Sequence, residues 1–109
     1  MILELLYLPG CPNHDRTVTL VRSVLRQEGL NTDVEEIPVN DYEEARARRF
    51  PGSPTVRVNG EDVESVPAHR LGVGIACRMY FVEGEAQGVP PRSWIERAIR
   101  AAGKPEGCR

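Results

Sequence analysis

The chain opens on an apolar run over residues 2–7, broken only by Glu4 and stopped by Pro9-Gly10. A near-continuous apolar run of that length predicts a strand buried on both faces. From residue 12 to residue 28 the period changes: Val18, Val21 and Leu25 recur at helical spacing, and Leu20 and Val24 widen the stripe. Pro12 suits the first helical position and Gly29 a C-terminal stop. Residues 32–39 read as a second strand, although Val34 and Ile37 fall out of phase. A second helix starts at Asn40-Asp41, where either Asn40 with Glu43 or Asp41 with Glu44 makes a capping box, and ends near Phe50, before Pro51-Gly52. Residues 55–58 alternate, Asn59-Gly60 turns the chain, and residues 61–66 return, which is the pattern of a tight hairpin. Residues 67–91 carry the weakest pattern: one apolar patch over 71–82 with Gly72 and Gly74 inside it, then a polar, glycine-rich loop. A last helix opens at Ser93, with Glu96 completing a capping box. Trp94, Ile95, Ala98, Ile99 and Ala102 share one face of it, and Gly103 ends it.

The order strand, helix, strand, helix, hairpin, helix predicts an α/β fold, a βαβ–α–ββ–α sandwich around a mixed sheet. A right-handed first βαβ unit puts the loop after the first strand, which holds Cys11, at the carboxyl edge of the sheet. The 109 residues suit one domain over 1–103, with 104–109 expected as a disordered tail. The charged share of 28% is ordinary, and a net charge of −2 argues against a nucleic-acid partner. The apolar run at the start lacks a basic flank and is too short to span a bilayer, as is every other stretch. The expected location is therefore cytoplasmic, with no membrane partner. The three cysteines are an odd number without paired spacing, so a structural disulfide framework is not expected. In a reducing compartment, a cysteine in a special setting is more often reactive or metal-binding than structural.

The segments Leu5-Leu6-Tyr7, Cys11-Pro12-Asn13, Gly52-Ser53-Pro54-Thr55 and Cys77-Arg78-Met79-Tyr80 carry a likeness to a known group. The chain resembles small bacterial thioredoxin-like proteins of the thioredoxin/glutaredoxin fold, some of which bear alkylmercury-lyase-related names. The resemblance implies that Pro54 follows a cis peptide bond and faces the Cys11 loop. One departure matters: His14 stands where thioredoxin has its second active-site cysteine.

Cys11 is the central candidate. At a helix N-terminus, unpaired N–H groups and the positive end of the dipole favour thiolate over thiol. His14, three residues on, can share that side. As imidazolium it would favour the thiolate further; as neutral imidazole it could accept a proton or bind a metal. The plainer alternatives are a buried, inert Cys11 and a solvated His14. Cys77 is the candidate resolving thiol, with packing in the apolar patch as its alternative. Arg78 is read as solvated, or else as steadying a thiolate or an anionic substrate. Tyr7 shields the thiolate or packs, and Pro12, Ser53 and Pro54 complete the substrate-binding set. Trp94 is assigned to the core, Cys108 is a bystander, and lone His69 has no partner at ligand spacing.

These residues support three functions. The first is thiol–disulfide redox chemistry on a disulfide-containing protein or small thiol substrate, with no cofactor required beyond glutathione or another low-molecular-weight thiol. The second is a thiolate module for a soft metal such as mercury or copper(I), using Cys11 and Cys77 with His14 as an assisting ligand. The third is a redox-inactive thioredoxin-like binding scaffold.

Overall fold

The structure, a computed structural model, describes residues 1–65 and 71–103. The expected disordered tail with Cys108, and lone His69, lie outside the described residues. Four strands form a mixed sheet: β1 (Leu3–Tyr7), β2 (Val34–Pro38), β3 (Thr55–Val58) and β4 (Glu61–Asp62), in the order β2-β1-β3-β4. β1 runs parallel to β2 and antiparallel to β3, and β3 is antiparallel to β4. The helices are α1 (His14–Gln27), α2 (Tyr42–Ala47) and α3 (Arg92–Ala102). A second, two-stranded sheet pairs β5 (Tyr80–Val82) with β6 (Glu85–Gln87).

Strand parity explains both the core and the apparent misfit in β2. Alternate residues of a strand face opposite sides. Leu3 and Leu5 of β1, Val34 of β2 and Val56 and Val58 of β3 join one core, with Val18, Val21, Val24 and Leu25 of α1 and Ile95 and Ile99 of α3. Leu6 and Ile37 face the other way, into a smaller cluster with Val39, Ala45 and Phe50 beside α2. Val34 and Ile37 are out of phase because the sheet is covered on both faces, as the run in β1 predicted. Trp94 packs against the larger core and meets Tyr80 edge-on, with ring centroids 6.1 Å apart.

Several local expectations are corrected. α1 begins at His14 with Asn13 as its N-cap, so Pro12 is not the first helical residue; the Cys11 carbonyl first accepts from the His14 N–H, closing a turn. α2 stops at Ala47, short of Phe50. Its Asp41 cap accepts from the Glu44 N–H at 2.8 Å, while the Glu44 carboxylate reaches back to the Asn40 N–H rather than to the cap itself. β4 is only two residues long. α3 is capped by Pro91 with no side-chain hydrogen bond, so the Ser93–Glu96 box does not form. Glu96 instead accepts from Gln27 and Arg92, tying α3 to α1. The end of the apolar patch forms β5, and the stretch expected as a glycine-rich loop supplies the turn, Glu83 and Gly84 at positive φ like Asn59-Gly60 in the first hairpin, and β6.

Candidate functional site

Pro9 and Gly10 turn the chain directly after β1. The Cys11 N–H donates to the Leu8 carbonyl at 3.0 Å and Gly10 has φ +86°, which is the residue order and hydrogen bond of a tight Pro-Gly turn. A second turn, from the Cys11 carbonyl to the His14 N–H at 3.2 Å, leads into α1. Cys11 is half-buried between the two turns, ahead of the first helical turn rather than inside it, and its thiol is free.

The Ser53–Pro54 bond is cis, as the resemblance implied. The Leu8 N–H donates to Ser53 Oγ at 2.9 Å, which fastens the turn holding Cys11 to this one. Ser53 is buried, and its main chain forms a parallel bridge with Cys77: the Ser53 N–H donates to the Ala76 carbonyl and the Arg78 N–H to the Ser53 carbonyl, each at 2.9 Å. The loop bearing Cys11, the cis proline and the backbone of Cys77 are thus linked in sequence by hydrogen bonds. From Cys77 onward the residues alternate: Cys77, Met79 and Phe81 are exposed, while Arg78 and Tyr80 are buried. The second free thiol therefore sits on the outward side of this segment.

Gly52 makes the close approach of the two segments possible. Its φ is +143°, and an added Cβ would lie 3.0 Å from Arg78 Cβ and 3.2 Å from the Ala76 carbonyl oxygen. Gly52→Ala is expected to cost more than about 1 kcal/mol, through backbone strain and the crowding together. The urea midpoint measures this, and an unchanged midpoint would show that the two segments can separate freely.

His14 is held on two sides. Tyr7 shares the parity of Leu3 and Leu5, so it faces α1, and its ring stacks on His14 with centroids 3.6 Å apart and planes 9° apart. Glu36 shares the parity of Val34 and faces the same helix; it accepts a 2.7 Å hydrogen bond from His14 Nε2. Arg22 lies 3.7 Å from the other Glu36 oxygen and forms a two-pronged pair with Asp33. The Arg22 hydrogen bonds hold the Asp33 carboxyl below its usual range. Strand parity is the sequence signal for Glu36, since it falls on the same face of β2 as Val34.

Arg78 is not solvated, correcting the expectation: it is 6% exposed. Its guanidinium donates to both oxygens of Asp62, to Glu64 Oε1 at 2.6 Å and to Thr55 Oγ1 at 3.0 Å, and lies over the Tyr80 ring. Burial works against its charge, but the bonds to Asp62 and Glu64 outweigh that and hold it protonated more firmly than a free guanidinium. Burial also raises the Tyr80 phenol well above its ordinary value, and that hydroxyl donates to the Pro54 carbonyl. This cluster anchors the segment that carries Cys77.

Among the described residues no group of three or more His, Cys, Asp and Glu side chains is arranged to hold a metal ion, and no helix is long and apolar enough to cross a membrane. An open cavity of about 450 Å³ beside β3, β4 and α3 is lined by Asn59, Asp62, Arg97 and neighbours, and contains none of the predicted site residues.

No family model, curated protein or solved structure matches this chain.

Proposed function

We propose that the chain is a thioredoxin-like thiol–disulfide redox protein of the cytoplasm, with Cys11 as its nucleophile and Cys77 as its resolving thiol. The observation that carries this reading is the linkage of the two cysteine-bearing segments through Ser53: its Oγ accepts from Leu8 beside the Cys11 turn, and its main chain pairs with the residues on either side of Cys77. The sheet order β2-β1-β3-β4, with β1 parallel to β2 and a cis proline leading into β3, supports the thioredoxin-like assignment.

The chemistry runs in two exchanges. The Cys11 thiolate attacks one sulfur of a substrate disulfide RSSR. A Cys11–S–S–R bond forms, the substrate S–S bond breaks, and RS⁻ leaves and takes a proton from water. The Cys77 thiolate then attacks Cys11 Sγ, releasing the second RS⁻ and leaving a Cys11–Cys77 disulfide. The protein has lost two electrons and the substrate has gained two. Glutathione or another low-molecular-weight thiol reverses the protein's oxidation. His14, fixed between Tyr7 and Glu36, is the imidazole nearest in sequence to the nucleophile.

Pre-reduced protein mixed with bis(2-hydroxyethyl) disulfide should release thiol well above the uncatalysed rate. A non-reducing digest of the product should contain the Cys11 and Cys77 peptides joined. No thiol release above background would overturn the proposal. Release of one equivalent without the joined peptides, with the substrate half retained on Cys11, would remove Cys77 as the resolving thiol.

A further inference from the structure

Extended polypeptides dock beside a reactive residue most readily by adding a strand to unpaired main chain, whose N–H and C=O groups supply the affinity. Among the described residues, neither β1 nor the Ser53–Pro54 turn, the main chain bonded directly to the Cys11 loop, offers such an edge. β1, which leads into the loop, is paired on one side with β2 and on the other with β3. The Ser53–Pro54 turn, which is bonded to the loop through Leu8, is occupied by the chain itself. Residues 74–80 run alongside residues 50–54 through a series of bonds: Gly74 N–H to the Phe50 carbonyl, Ser53 N–H to the Ala76 carbonyl, Arg78 N–H to the Ser53 carbonyl, and the Tyr80 hydroxyl to the Pro54 carbonyl. Gly52 lets the two segments approach closely, since an added Cβ there would lie 3.0 Å from Arg78 Cβ. Arg78, buried against Asp62 and Glu64, pins this segment from its inner side. A strand added beyond residues 76–78 would lie one strand spacing, about 4.8 Å, further from Cys11.

We propose that residues 74–80 stand in for a docked peptide strand at the Ser53–Pro54 turn, so that the disulfides reduced by Cys11 are low-molecular-weight ones and not those carried in extended polypeptide. This deepens the redox reading and rests on it. The exchange steps are those already written, with RSSR a small disulfide. The outward row of Met79 and Phe81 beside Cys77 offers apolar contact to a small substituent without requiring main-chain pairing.

The test compares two substrates with the same reacting centre: the disulfide of N-acetylcysteine methylamide, and the symmetrical disulfide of an unstructured peptide of about twelve residues with one central cysteine. Thiol release from pre-reduced protein is followed under second-order conditions, with the uncatalysed rate subtracted. The peptide is expected to react no faster than the small disulfide. A preference for the peptide of about tenfold or more, the effect of a pair of backbone hydrogen bonds, would overturn the substrate class while leaving the redox reading in place. Failure of both disulfides to react would overturn the redox reading itself, and the substrate class with it. A measurement independent of activity is amide exchange at Ser53 and Arg78, which is expected to be slow in the free protein and unaltered by the peptide. Exchange of either at the rate of an unprotected amide would overturn the inference, because the segment would then be displaceable.

Discussion

Cys11→Ser is expected to bring disulfide reduction down to the uncatalysed background while leaving the fold intact. Attack on a disulfide sulfur requires a thiolate, and a serine hydroxyl at neutral pH supplies neither the charge nor the polarisable nucleophile. The structural cost is small because the two hydrogen bonds that shape this turn are made by the Cys11 N–H and C=O, which serine keeps. Stability should stay within about 0.5 kcal/mol of the parent, as for a substitution away from the core. Cys77→Ser separates the two thiols. That variant should still release one equivalent of thiol and then stall as a mixed disulfide on Cys11, visible as a mass increase equal to the substrate half. Turnover by Cys11→Ser at the parent rate would remove Cys11 from the chemistry. Full turnover by Cys77→Ser with only the small disulfide present would remove Cys77 as the resolving thiol.

Much of what depended on short-range pattern was readable along the chain. The run in β1, the helical stripe of α1, the Asn59-Gly60 turn and the apolar face of α3 each sit within a dozen or so residues, and each formed as expected. Strand and helix signals misled where tertiary contact decides. Ser93 and Glu96 spell a capping box, but Glu96 finds Gln27 and Arg92, so the cap is forgone. The β5–β6 hairpin was missed because β6 consists of Glu85, Ala86 and Gln87, all exposed and without alternation. In the candidate site, Cys11, Pro54 and Tyr7 could be picked out from motif and position. The partners of His14 and Arg78 could not, because Glu36, Asp62 and Glu64 lie between 14 and 22 residues away along the chain and meet them only through the sheet. Strand parity carried that information: Glu36 faces α1 because Val34 does, and Arg78 turns inward because Tyr80 does.

The burial of Arg78 leads to the largest expected effect on stability. Arg78→Met keeps much of the aliphatic length but deletes a guanidinium that donates to Asp62, Glu64 and Thr55. Removing one partner of a buried ion pair leaves the others desolvated and uncompensated, typically at a cost of about 3–5 kcal/mol. Two features pull the expectation to the lower end. The Glu64 side chain is 24% exposed and recovers water readily, whereas Asp62, at 8%, recovers less. Arg57 stands opposite Asp62 in the β3–β4 register and partly compensates its charge, although the Arg57 guanidinium donates to the Arg49 carbonyl. A loss of about 3 kcal/mol is therefore expected from urea denaturation. Arg78→Lys should recover only part of it, since an ammonium cannot grip the Asp62 carboxylate with two parallel bonds. The decisive comparison is with Arg78→Met/Asp62→Asn, in which the stranded charge is also removed. If the cost comes from an uncompensated carboxylate, the double variant will be more stable than Arg78→Met alone. If it is equally unstable or worse, the packing of the side chain over Tyr80 carries the contribution instead. The same variant reports on the site, because the Arg78 N–H is what pairs with Ser53. Loosening that anchor should speed amide exchange at Ser53 before it affects the core strands, linking the buried ion cluster to the position of Cys77.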